Sequence, residues 1–165
     1  MTNNNYIMIN GKRIDLTDEQ IRQLTEQPIH CNPFERMPKG KKYYYFTRYG
    51  DVDVLTEDNN PLDDKALDAD NYFNDKSFAN QVALHQLLYR KLLKFAYDNE
   101  SEDVEWDNQN NHWCIFYDYA NDRFATGSND GFKHQGIYFS SSSCAKEAIK
   151  EVIEPFMKEH PDFVW

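Results

Sequence analysis

The sequence predicts an α+β protein: an antiparallel β-sheet of hairpins with two longer helices packed on one face, plus an N-terminal hairpin and short helix. Three observations carry this reading. Runs rich in Tyr, Val, Ile and Phe are joined by short turn signals, which is the connection antiparallel strands use. Two later segments place an apolar residue on every helical turn, on one face only. The chain is also 40% hydrophobic and 15% aromatic. With a mean hydropathy of −0.86 it still has the aromatic side chains that a disordered acidic chain lacks. Its 165 residues are enough for one well-filled core. The expected division is an N-terminal hairpin and short helix over 1–31 and a main α+β domain over 32–165.

Tyr6 to Leu16 reads as a β-hairpin with Asn10-Gly11 as a two-residue type I′ turn. Thr17-Asp-Glu-Gln20 then matches a capping box, with Thr17 at the N-cap and Gln20 at N3. The short helix it opens should turn Ile21 and Leu24 inward and stop near Gln27, before Pro28. Pro33, Pro38 and Gly40 mark a linker. Lys42 to Arg48 is a strand that Tyr49-Gly50 turns into a second, Asp51 to Thr56. Residues 57–71 are acidic, Asn-rich and broken by Pro61, and read as loop with at most one helical turn. The longest helix should span about Lys76 to Tyr97, burying Phe78, Val82, Leu84, Leu87, Leu88, Leu92 and Phe95. Asp103–Asp107, His112–Asp118, Arg123–Thr126 and Gln135–Ser140 follow as strands. Ser140 to Ser143 offer N-caps for a last helix burying Ala145, Ala148, Ile149, Val152, Ile153 and Phe156, with a kink at Pro155. A chain end carrying Phe163 and Trp165 should dock on its own core.

Charge is unevenly placed. The net charge is −10, yet the block from Asp51 to Asp75 carries nine acids against Lys65 and the adjoining Lys76, and Asp98 to Asp130 carries nine against Arg123. Such a chain repels phosphate backbones and anionic membranes, so direct nucleic-acid or membrane binding is not expected. The basic residues Lys39, Lys41, Lys42, Arg48, Arg90, Lys91 and Lys94 read as solvated flanks. No apolar run approaches the roughly 20 residues of a membrane span, and Met1 to Asn5 has neither the basic start nor the apolar stretch of a signal peptide. Cys31, Cys114 and Cys144 are an odd set without CxxC spacing, as expected for free thiols in a reducing, cytoplasmic setting.

The candidate binding residues are carboxylates in alternation. Asp51 and Asp53, and again Asp103, Glu105 and Asp107, share one strand face at steps of about 6.8 Å. That is comparable to the spacing of phosphates on an extended nucleic-acid strand. Such a surface suits the basic channel of a nucleic-acid enzyme. The competing reading is ordinary amphipathic patterning that also discourages edge aggregation. Asp118, Tyr117 and Tyr119 join the set, because exposed tyrosines anchor interfaces. Other candidates read as structural. His112 with Cys114, and His30 with Cys31, are pairs too small for a zinc site, and His85 reads as a packing residue. Asp63-Asp64-Lys65 has the acid-x-lysine spacing that ends a metal-dependent nuclease site but lies in a proline-broken loop instead of a strand. Asn129-Asp130-Gly131 is turn chemistry. No metal, cofactor or catalytic residue is assigned.

Four segments carry a resemblance: Asn32-Pro-Phe-Glu-Arg36, Lys42-Tyr-Tyr-Tyr45, Ala83-Leu-His-Gln-Leu-Leu-Tyr-Arg90, and the run from Ile137 to Trp165, above all Glu151 to Trp165. Over most of residues 32–165 the chain resembles small, largely uncharacterised acidic proteins of phages and prophages of Firmicutes. The resemblance brings no catalytic residues. It implies a phage setting, in which small acidic proteins often inhibit host defence enzymes such as CRISPR effectors or restriction nucleases. The expectation is therefore a non-enzymatic inhibitor acting in the host cytoplasm. Its partner would be a host nucleic-acid-processing protein, met through Asp51, Asp53, Asp103, Glu105, Asp107, Asp118, Tyr117 and Tyr119. A phage accessory or virion-associated interaction protein, or a metal-dependent hydrolase using Asp63, Asp64 or the histidines, are the alternatives, and a homodimer through a strand edge stays open.

Overall fold

A computed structural model describes residues 6–9, 12–18, 20, 32–99, 106, 110–129, 131 and 133–165. Within them the chain is α+β. Strands β1 (Tyr6–Ile9) and β2 (Lys12–Asp15) form one antiparallel hairpin, β3 (Lys42–Phe46) and β4 (Val52–Thr56) a second, and β5 (His112–Asp118) and β6 (Arg123–Asn129) a third. The helices are α1 (Pro61–Asp68), α2 (Lys76–Asp98), α3 (Ser142–Ala148) and α4 (Glu154–Glu159), with a π-helical turn over Ile149–Ile153 between the last two.

Local chemistry explains the boundaries. Ile9 pairs with Lys12, so two residues connect β1 and β2 as the Asn-Gly signal requires. The Thr17–Gln20 capping box is formed, with the Gln20 amide N–H on Thr17 Oγ1 at 3.2 Å and Thr17 N–H on Gln20 Oε1 at 3.0 Å. The rest of the expected short helix, with Ile21 and Leu24, lies outside the described residues, as do His30 and Cys31. At the β3–β4 tip, Gly50 donates to the Thr47 carbonyl at 3.0 Å and has φ +92°, a left-handed conformation that suits glycine. Phe116 lies across Gly127 in the third hairpin, where any Cβ would sit 3.0 Å from its ring.

Four expectations change. The hairpins stay separate two-stranded ladders among the described residues and do not merge into one sheet. The expected strand 135–140 is reduced to one bridge, Phe139 with Trp113, because Gln135 and Gly136 are exposed and no further ladder bonds form. Residues 61–68 of the acidic loop are a two-turn helix: Asn60 caps it, accepting from Leu62 and Asp63 amides, and Pro61 occupies the first turn. The kink near Pro155 takes the form of the π turn. Proline has no N–H and its ring crowds the carbonyl four residues back. The Glu154 N–H reaches Ile149, five residues back, and the chain thereby makes room for the ring.

Helix α2, about 34 Å long at 1.5 Å per residue, joins two packing centres. One surrounds Phe73, whose ring lies 5.2 Å from Phe34, 5.0 Å from Phe46 and 5.9 Å from Phe78. The other gathers Leu88, Leu92, Phe95, Phe139, Ile153 and Phe156. Phe163 packs against Phe156 at 5.3 Å, and Trp165 against Phe124 at 4.9 Å, so the chain end closes this second centre. Gln81 clamps the same segment, donating to the Asp162 carbonyl at 2.6 Å and accepting from Val164 N–H at 3.0 Å. No described helix is long and apolar enough to cross a membrane.

Phe156 is buried at the centre of this cluster. Phe156→Ala should lower unfolding free energy by about 3–5 kcal/mol in a urea titration.

Candidate functional site

The acids of the first block divide into two populations, and the division decides what they can do. Glu57 and Asp63 point inward and are 0% and 2% exposed. The turn Asn32–Glu35 carries Arg36 to them. It is held by Glu35 N–H on the Asn32 carbonyl at 3.0 Å and by Asn74, whose side chain donates to the Asn32 and Glu35 carbonyls. Arg36 grips Glu57 with two nitrogens, at 3.2 and 3.0 Å, and Asp64 with a third at 2.8 Å. Tyr72 donates to Glu57 Oε2 at 2.9 Å and accepts from the Met37 N–H at 2.9 Å. Asn59 N–H completes the Glu57 shell at 2.7 Å. Asp63 accepts from the Tyr43 hydroxyl at 2.9 Å and from the Asp58 and Asn60 amides at 2.9 and 3.1 Å. Tyr43 and Tyr72 stack at 4.0 Å, sealing the pair from water.

These contacts shift titration in definite directions. The Arg36 hydrogen bonds hold Glu57 below the ordinary carboxylate range against the opposing effect of burial. Burial pushes Asp63 up, but the Asn60 and Asp58 amides and the Tyr43 hydroxyl together outweigh it and hold it low. Burial, then Asp63, pushes Tyr43 well up. Burial and Glu57 raise Tyr72 to about 12. The arrangement is an anchor. Asp63, read from sequence as a nuclease-like ligand, spends its oxygens on protein donors.

The remaining first-block acids face solvent. Asp51, Asp53, Asp58, Asp68 and Asp70 are exposed and enter no ion pair with described residues. Asp53 lies opposite Tyr45 in the β3–β4 ladder, takes a 3.5 Å contact from its hydroxyl, and accepts from the Val54 N–H at 2.8 Å. Asp51 precedes β4 and lines a cleft of about 700 Å³ with Glu159 and Asp162 at its rim and Leu84, Leu87 and Phe163 among its apolar walls.

The second block presents a different picture. Asp118 is turned to its own hairpin: it accepts from the Asn121 side chain at 2.7 Å and the Ala120 N–H at 3.1 Å, and stands 3.9 Å from Arg123. The Asn121 bond, the largest influence, holds its carboxyl low. Tyr117 bonds to Asp122, which raises its hydroxyl, and packs against Tyr119 at 5.0 Å and Phe124 at 4.9 Å. Tyr119 is the presented residue of this tip, 78% exposed. Asp103, Glu105 and Asp107 lie outside the described residues, and so does Asp130. Among the predicted residues, the structure therefore places Asp51 and Asp53 together on one hairpin and Asp118, Tyr117 and Tyr119 together on another.

His112 is buried and stacks on Trp106 at 3.8 Å. Cys114 donates to the Gly127 carbonyl at 3.6 Å, and burial pushes its thiol up. His85 lies 4.6 Å from the Phe163 ring. Among the described residues no three His, Cys, Asp or Glu side chains gather as a metal site. Sequence reasoning missed the Arg36–Glu57–Asp63 anchor; its one legible sign was Asn60-Pro-x-Asp63, a capping pattern with proline in the first turn. No protein-family model, curated protein or solved structure matches the chain.

Two outcomes follow from the anchor. Tyr72→Phe leaves Glu57 and the Met37 N–H each short of a partner and should cost about 1–3 kcal/mol in chemical denaturation. Because Glu57 and Asp63 titrate lower folded than unfolded, their stabilisation is full above the ordinary carboxylate pKa of about 4 and lost as pH falls through their lowered values. The raised tyrosines act oppositely: their share is present below the ordinary phenol pKa of about 10 and lost as pH climbs beyond it. Thermal melts across pH should fall at both ends, and Tyr72→Phe should flatten the alkaline limb.

Proposed function

We propose that this chain is a non-enzymatic, phage-encoded binding protein that engages a host nucleic-acid-processing enzyme, a defence nuclease, in competition with nucleic acid. The reading rests on one observation. The anchor consumes Arg36, two inward carboxylates and Asp64, while Asp51, Asp53, Asp58, Asp68 and Asp70 stand in solvent with no ion-pair partner among the described residues. Asp51 and Asp53 on the β3–β4 hairpin form no ion pair with a described residue, and so are free to meet a positive surface. Tyr119 at the β5–β6 tip adds an exposed aromatic, the type of side chain that anchors such contacts once charge has brought the partners together.

The phage setting implied by the sequence resemblance chooses the partner class: an enzyme whose nucleic-acid channel is lined with Lys and Arg. A carboxylate row does not need to reproduce the geometry of DNA there. It needs to offer charge at comparable spacing and to displace the same counterions. Occlusion of this kind weakens with salt, and that distinguishes it from docking driven by apolar contacts.

Titrating the protein into a purified nuclease bound to its DNA should release the DNA, with apparent affinity falling at least tenfold between roughly 50 and 200 mM salt. Asp51→Asn with Asp53→Asn should weaken release roughly tenfold, about 1.4 kcal/mol, in a protein whose melting curve is unchanged. A panel of restriction and RNA-guided nucleases that all keep their DNA at saturating protein would end the proposal.

A further inference from the structure

We propose that the outer edge of β4 is a docking strand that takes an extended, basic segment of a partner protein by strand addition. The inference deepens the proposed function, resting on it only for the sign of the partner's charge.

The ladder register fixes which backbone groups point where. Thr47 donates to Asp51 and Glu57 donates to Lys41, so odd-numbered residues of β4 bond to β3. Val52, Val54 and Thr56 turn their N–H and C=O groups the other way. The opposite edge of β3 is already covered: Tyr44 exchanges both bonds with Phe73, and Phe46 exchanges both with the Asn71 side chain. On β4 no other described strand pairs with the outward row. Val54 and Leu55, on opposite faces, are 41% and 43% exposed. An unpaired edge of this kind is a template for another strand.

The single filled position on the edge is informative. The Val54 N–H is taken by Asp53 Oδ1 at 2.8 Å, the place a partner's carbonyl would occupy. Asp53 is thus a stand-in acceptor. A neutral strand must displace a carboxylate and leave it unsatisfied. A strand with Lys or Arg at that point gives the carboxylate a cation in exchange while its carbonyl takes the N–H. The edge is selective for basic sequence by construction.

Beside the edge lies the cleft rimmed by Asp51, Glu159 and Asp162, with Val52 among its lining. Its apolar walls at Leu84, Leu87 and Phe163 suit the methylene stem of a long basic side chain whose head stays at the rim. The cations near the tip are Arg48, stacked on Tyr49, and Arg90, close to Gly50; Lys42 lies opposite Thr56 at the far end. Asp51 and Asp53 share the tip half of the hairpin with Arg48 and Arg90 but form no ion pair with a described residue, so their carboxylates stay open to a basic residue entering there. A second copy of the chain is the poorer occupant: antiparallel pairing of β4 with itself would bring Asp51 and Asp53 of two chains, each of net charge −10, along one ladder.

The probe is a short fluorescein-labelled peptide of alternating lysine and valine, read by anisotropy against the full chain. It should bind, and its serine and glutamate counterparts should bind at least roughly tenfold more weakly. N-methylation of alternate peptide residues, which blocks one strand edge without touching the protein, should abolish binding. Val54→Pro removes an outward N–H that β3 does not use, so it should weaken binding roughly tenfold while the fold persists. Asp53→Ala should let the serine peptide bind. Equal binding of the lysine and glutamate peptides overturns the charge selection, and binding indifferent to N-methylation overturns strand addition. A dimer that Val54→Pro dissolves would give the edge to a second copy and overturn the assignment. Peptide binding lost while nuclease release stands removes this edge alone. Nuclease release lost while the peptide binds removes the choice of partner alone.

Discussion

Two carboxylates held away from water determine how the first half of the chain is arranged. A buried charge is tolerated only when its oxygens are matched by donors and its sign is offset. Glu57 meets both conditions through Arg36, Tyr72 and the Asn59 amide, and Asp63 meets the first through Tyr43 and two backbone amides. The donors come from four separate pieces of chain: Arg36, Tyr43, the Asp58–Asn60 amides and Tyr72. The Asn32–Glu35 turn, the base of the β3–β4 hairpin, the start of α1 and the segment before α2 therefore have to sit together or leave a charge stranded. The hairpin is pinned at its base, at Glu57, and its tip and outer edge stay available for contact.

Helix α2 carries this arrangement to the rest of the molecule. Its first turns pack on Phe73 through Phe78, and its later turns supply Leu88, Leu92 and Phe95 to the centre shared with the C-terminal helices. Gln81 sits where the two meet and ties down the segment running to Trp165. The cleft beside β4 is bounded by the hairpin tip, α2 and this segment, so its shape is inherited from both packing centres.

The elements whose signals are local were legible in the sequence. The apolar stripe of α2, the Thr17 capping box, the β1–β2 register, the turn at 49–50 and the inward docking of Phe163 each depend on residues close together in the chain or on one amphipathic face. Interactions that skip along the chain were not legible. Nothing near Glu57 announces that Arg36, 21 residues earlier, reaches it, so an acidic Asn-rich stretch reads as solvated loop. Gln135–Ser140 has strand-forming residues but keeps only the Phe139 bridge, because propensity does not supply a partner. Of the candidate site, the exposure of Asp51, Asp53 and Tyr119 followed from patterning. The inward commitment of Asp118 to its own turn did not, since a strand-end aspartate can face either way.

The π turn ahead of Pro155 has a consequence for everything beyond it. Ala145 and Ala148 face the core before it, Ile153 and Phe156 after it, a five-residue step from 148 to 153 that a regular α-helix would rotate out of line. The extra residue acts as a phase adjuster: each residue turns the helix by about 100°, and the wide turn absorbs that angle once. A chain shortened by one residue here could run as plain α-helix with Phe156 still in line, whereas the present sequence wound as plain α-helix would swing Phe156 sideways and carry Phe163 and Trp165 off their seats. The proline that looks like a helix breaker thus marks where the angular alignment of the whole C-terminal end is set.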